Sequence, residues 1–107
     1  MNILLHKQFK RDFKTLFKKY PSLEQDIDAL IRSLRDTPIQ GTPIGDNCYK
    51  IRLKITSKAT GKSGGARVIT YAKIITDELW LLTMYDKSEI ASVADAFLTD
   101  LIKAINE

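Results

Sequence analysis

Between Asn47 and Thr76 the chain places Lys50, Arg52, Lys54, Lys58, Lys62, Arg67 and Lys73, and not one aspartate or glutamate. A run of cations without carboxylates suits an anionic partner, and phosphate oxygens are the anions that lysine point charges and arginine forks hold best. Much of the run alternates with apolar residues, so the charges belong to strands that can aim them rather than to a disordered tail. Other chemistries lack their parts. His6 is the sole histidine and Cys48 the sole cysteine, which leaves no histidine acid/base pair, no zinc-ligand spacing and no hydrolase triad. We read His6 as structural and Cys48 as a small strand-entry residue. A metal-dependent nuclease needs clustered carboxylates, which the basic strands do not have. Gly61-Lys62-Ser63 resembles the end of a nucleotide-binding loop, but Thr56 stands where that loop needs glycine and a strand follows instead of a helix. What remains is binding or catalysis carried by Lys, Arg and Tyr.

The elements that must position these groups follow from periodicity. Asn2 to His6 is a short apolar opening that reads as an edge strand. Phe9, Phe13, Leu16, Phe17 and Tyr20 recur at helical spacing, with Lys7, Lys10, Arg11, Lys14, Lys18 and Lys19 on the outer face, until Pro21 stops the helix. Ser22 and Gln25 form a capping-box pattern ahead of a second helix through Ile27, Leu30, Ile31 and Leu34 to about Arg35. Residues 37–47, with Pro38, Gly41, Pro43 and Gly45, read as a loop. The period then changes to two: Tyr49, Ile51, Leu53 and Ile55 alternate with Lys50, Arg52 and Lys54, which predicts a half-buried strand with the cations facing away from the helices. Residues 66–75 and 78–85 give two further strands around a Thr76-Asp77 turn, and the Gly61-Lys62-Ser63-Gly64-Gly65 stretch gives a hairpin tip. Ser92 with Asp95 signals the start of a closing helix through Val93, Phe97, Leu101 and Ile105.

These elements predict an α+β fold: a small, mostly antiparallel sheet of about four strands packed on an N-terminal helical hairpin, with a C-terminal helix. With 107 residues and a formal charge of +4, residues 1–107 are expected to form one domain around one core. The single cysteine and the absence of a leader pattern or long apolar run lead us to expect a cytoplasmic protein with no membrane association.

The runs Tyr49-Lys50-Ile51-Arg52-Leu53, Gly64-Gly65-Ala66-Arg67-Val68-Ile69 and Leu81-Leu82-Thr83-Met84-Tyr85-Asp86-Lys87, in this order of elements, resemble the RelE/ParE superfamily of toxins. The glycine-rich hairpin and the Leu-Leu-Thr-x-Tyr-x-Lys run look most like its HigB-type members. The resemblance covers essentially the whole chain. It implies a RelE-like fold and a ribosome-dependent endoribonuclease, an mRNA interferase that cuts translated messenger RNA in the decoding site of the small subunit and needs no cofactor or metal. It also implies a cognate antitoxin as partner, and we expect the free protein to be a monomer.

By similarity, Lys50 and Arg52 occupy the strand positions of the family's basic catalytic residues. Arg67 matches the arginine at the scissile phosphate, and Lys87 falls at the basic position after the last strand. Arg52 stands where RelE itself has a lysine base, and a guanidinium that stays protonated is a poor proton acceptor. The base then falls to Lys50 or Lys54. Lys58, Lys62 and Lys73 add RNA-binding charge, and Tyr85 is placed to stack on a base. Two alternatives share the fold: a ParE-like inhibitor that binds DNA gyrase without catalysis, and a degenerate, non-toxic member.

Overall fold

A computed structural model describes residues 1–58 and 64–107. Its elements run β1 (Asn2–Leu5), α1 (Lys7–Phe17), α2 (Leu23–Asp36), β2 (Thr42–Gly45), β3 (Cys48–Leu53), β4 (Ala66–Lys73), β5 (Glu78–Asp86) and α3 (Asp95–Asn106). The five strands form one sheet in the order β1-β5-β4-β3-β2, with β1 parallel to β5 and every other pair antiparallel. The α+β class, the helical hairpin, the edge strand and the closing helix are those expected.

The alternation in β3 sorts the sheet into two faces. Ile51, Leu53 and Ile55 join Phe9, Leu16, Leu23, Ile27, Leu30 and Leu34 of the hairpin in the main core, with Ala66, Val68, Leu79, Leu81 and Met84. Cys48, Ile69, Tyr71, Leu82 and Tyr85 meet Leu98 and Leu101 of α3 on the other face. The hairpin thus closes one side of the sheet and α3 part of the other.

Several expectations need correcting. Residues 37–47 are not wholly loop. Thr42–Gly45 pair with β3 across a two-residue turn in which Asp46 (φ 54°) and Asn47 (φ 60°) are both left-handed, the geometry that matches strand twist. Gly41 is required just before this strand: at φ 92°, an added Cβ would lie 2.4 Å from the Lys50 carbonyl oxygen. The capping box at Ser22 does not form. Its hydroxyl instead donates to Asp26 Oδ2 (2.8 Å) and bonds to Ser57 (2.9 Å), pinning the start of α2 to the chain after β3. Ser92 likewise caps nothing, because α3 begins at Asp95. The first of the two predicted later strands ends at Lys73, and Ile74–Thr76 is a 3-10 turn. His6 is structural as expected: Nδ1 accepts from Gln8 N (3.0 Å) to cap α1, and Nε2 donates to Leu101 O (3.2 Å).

β5 is not a regular strand. Ile69 pairs with Thr83 but the next residue, Thr70, pairs with Leu81, so β5 carries one extra residue, a β-bulge. Leu79 and Leu81 point to the hairpin and Leu82 to α3, yet Thr83 and Met84 both turn toward the hairpin. The phase shifts by one, and Tyr85 emerges on the α3 face. A single carboxylate from α1 holds the bulge: Asp12 Oδ2 accepts from Thr83 Oγ1 (2.5 Å) and from the Met84 amide (3.1 Å), while Oδ1 accepts from Gln8 (3.0 Å). Replacing Asp12 by alanine removes the acceptor from a bulge amide inside the fold, and we expect a loss of about 2–4 kcal/mol. Urea denaturation measures this, and a loss under about 1 kcal/mol would show that the bulge holds without Asp12.

Candidate nucleic-acid interface

The register brings the predicted cations together from three strands. Arg52 on β3 lies opposite Arg67 on β4, which lies opposite Tyr85 on β5. Their neighbours Ile51, Leu53, Ala66, Val68 and Met84 all point into the main core, so the three side chains share the other face. Adjacent strands lie about 4.8 Å apart, so the row spans about 10 Å from Arg52 to Tyr85, with the two arginines on neighbouring strands. Lys50 sits two residues from Arg52 on the same face and is half-buried. Lys54, one residue past β3, is exposed. Lys87 follows β5. Its amide donates to Gly65 O (3.0 Å), which ties it beside the start of β4, and its ammonium donates to Ala91 O (3.1 Å). Lys50, Arg52, Lys54, Arg67 and Lys87 therefore lie along one end of one sheet face.

Arg67 is only 6% exposed, and its Nη1 donates to Ala66 O at 3.1 Å. A buried guanidinium is held in one geometry, as gripping a tetrahedral anion demands. Burial pushes the Tyr85 phenol above its usual range and the adjacent Arg67 charge opposes this, so the hydroxyl remains protonated. Beyond Lys50, β3 has no outer neighbour strand among the described residues. An open groove of about 320 Å³ runs there, with Arg52 and Lys54 on its sheet side and Asp26, Ser33 and Gln40 on its helix side. The apolar groove of about 310 Å³ between α1 and α2, lined by Phe9, Phe13, Ile27 and Ile31, lies across the sheet from these cations.

The other candidates are placed differently. Lys73 ends β4 opposite Glu78, six residues and about 20 Å from Arg67, too far to share a phosphate with it. Tyr85 is 4% exposed and packed with Leu82 and the α3 leucines, so its ring is no open platform for a base. Lys62 lies outside the described residues. Lys58 is committed to structure: its ammonium donates to Asp86 Oδ1 (2.7 Å) and Ser88 Oγ (2.7 Å) and lies 5.4 Å from the centre of the Tyr20 ring. Cys48 is buried, and desolvation with the nearby Asp46 charge pushes its thiol up to about 11, far from nucleophilic range. Sequence reasoning missed Asp86. It is 1% exposed and accepts from Lys58, Tyr20 Oη (2.6 Å) and Ser88 N and Oγ (3.0 and 2.7 Å).

No protein-family model and no curated sequence matches the chain. Solved structures do. A double-mutant form of the Escherichia coli toxin RelE in the free state superposes with a TM-score of 0.57 at 14% identity, covering 97% of this chain and 96% of that one. The isolated E. coli RelE toxin gives 0.57 at 16% identity, covering 97% of both chains. The fold is therefore RelE-like over nearly its full length. No helix among the described residues is long and apolar enough to cross a membrane.

Asp86 fastens the last turn of the sheet to α1 and to the chain after β3. Burial alone would raise its pKa, but the hydrogen bonds from Lys58, Tyr20 and Ser88 outweigh it and hold the carboxyl well below its ordinary 3.8. A carboxyl depressed in the folded state contributes stability that is fully present above its unfolded pKa, near 4, and is lost as pH falls through the folded value. Asp86→Asn should therefore destabilise the protein by about 2–4 kcal/mol at pH 7, leaving Lys58 without its carboxylate. Denaturation at stepped pH should show the gap to wild type closing below about pH 4. A gap that stays constant across that range would mean the network is not stabilised by charge.

Proposed function

We propose that this chain is a toxin of the RelE kind, an endoribonuclease that cuts messenger RNA during translation in the cytoplasm, nearest to the HigB-type members. The observation that carries the reading is the cross-strand pair Arg52 and Arg67, flanked by Lys50 and Lys87, on a RelE-like sheet. Cleavage without a metal requires three things: removal of the 2′-hydroxyl proton, stabilisation of the doubly charged phosphorane and protonation of the leaving 5′-oxygen. Arg67, fixed by burial, and Arg52 opposite it hold the phosphate oxygens. Lys50 or Lys54, each two residues from Arg52, takes the 2′-hydroxyl proton, and Lys87 at the far end of the row supplies charge or a proton to the leaving group. An acidic segment of a cognate antitoxin would complement the same face.

Primer extension on a messenger RNA translated in a purified system tests the reading. Wild-type protein should cut only in the presence of ribosomes. Arg67→Ala, with circular dichroism to confirm its fold, should lower the rate by about 10²–10³, the usual worth of a charge-stabilising donor. Lys50→Ala and Lys54→Ala identify the base as whichever change abolishes cutting. Intact RNA together with arrested DNA synthesis in cells would replace this reading with gyrase inhibition.

A further inference from the structure

We infer that the outer face of α1 is a docking face for the phosphate backbone of an A-form RNA duplex, separate from the cleavage row on the opposite side of the sheet. Lys7, Arg11, Lys14 and Lys18 are spaced four, three and four residues apart. At about 100° per residue they fall within about 60° of arc, with Lys10 flanking them. All five are exposed. Among the described residues none is in an ion pair, whereas Lys19 pairs with Glu89 and Lys58 with Asp86. The one acid of α1, Asp12, points into the fold at the bulge. The stripe is about 16 Å long at 1.5 Å per residue, a straight rail of charge with a cation every turn or less.

This arrangement works against the helix that carries it. α2 has Glu24 and Asp26 in its first turn and Arg35 in its last, and α3 has Asp95 and Lys103 at the corresponding ends, as the helix dipole favours. α1 has no acid in its first turn, where Lys7 and Lys10 meet the positive end of the dipole, and only Lys14 and Lys18 sit at the end that the dipole favours. Its like charges at i,i+3 and i,i+4 repel one another. Helix stability does not account for the whole stripe, and a polyanion would relieve both costs.

The occupant follows from what the face lacks. The stripe itself holds no aromatic ring on which unpaired bases could stack: Phe13 lines the groove between α1 and α2, and Phe17, 39% exposed, is stacked on it (centroids 5.5 Å apart) at the flank of the stripe. The buried Phe9 and Leu16 face the core and Phe17 is the one exposed apolar side chain of α1, too little apolar surface to enter a lipid layer. A protein partner would want an apolar centre, and this face is charged throughout. Phosphates of a duplex read by shape fit the chemistry, and the wide, shallow minor groove of A-form RNA presents two such ribbons. The choice of RNA over DNA rests on the proposed activity of the opposite face. A chain basic on both sides can hold structured RNA with its back while its front works on a single strand.

Fluorescence anisotropy with a labelled blunt RNA duplex of about 20 base pairs tests this, using the full chain carrying Arg67→Ala to prevent cleavage. The Lys7→Gln/Arg11→Gln/Lys14→Gln/Lys18→Gln form should lose about 10- to 1,000-fold in affinity, with a log–log salt slope shallower by about 3–4. Its thermal midpoint should equal or exceed that of the unsubstituted stripe, excluding unfolding as the cause. Duplex affinity unchanged by the four substitutions overturns the proposal, as does equal or tighter binding of a DNA duplex of the same length. Stripe-dependent duplex binding, where the form with Arg67 intact cuts no RNA on ribosomes, would support the docking face and refute the nuclease reading.

Discussion

Asp12 holds the sheet in the form on which the basic row depends. Its carboxylate reaches from α1 to the bulge in β5 and accepts from the Met84 amide beside it. Left unpaired, that amide would cost about as much as a hydrogen bond is worth or more. Because the bulge persists, Leu79 and Leu81 fill the core below α1 while Tyr85, four residues past Leu81, faces Arg67. Helix packing, core filling and the make-up of the basic face are thus coupled through one side chain.

A second carboxylate performs a related task at the edge of the sheet. Asp86 gathers Tyr20 from the end of α1, Lys58 from the chain after β3 and Ser88 from the start of the next loop. The groups it ties are the roots of the segments flanking the basic row. Asp12 and Asp86 are thus both spent on holding backbone and lysine in place.

Much of this was legible in the residues because the driving pattern was local. Period-two alternation from Tyr49 to Ile55 placed Lys50, Arg52 and Lys54 on one face, and helical spacing from Phe9 to Phe17 placed α1 against the sheet. β2 was hidden because four exposed residues including Pro43 carry no alternation, and its pairing is held by a turn of left-handed Asp46 and Asn47. The capping box at Ser22 failed because Ser22 and Asp26 found partners in Ser57 and Thr56, some thirty residues away. Lys58 read as a free cation for the same reason, its partner being 28 positions further on. Tyr85 read as a surface aromatic because counting by twos gives no warning of an extra residue in the strand.

The bulge also decides which of two competing pairings the chain adopts. Were β5 to zip regularly past Leu81, Asp86 would take the side of the sheet now held by Tyr85. It would then lie opposite Gly65, with Met84 opposite Arg67. The core below α1 would lose Met84, and Lys58, Tyr20 and Ser88 would lose the carboxylate they now share. One extra residue thus assigns the last acid of β5 to the helix side of the sheet and its tyrosine to the α3 side.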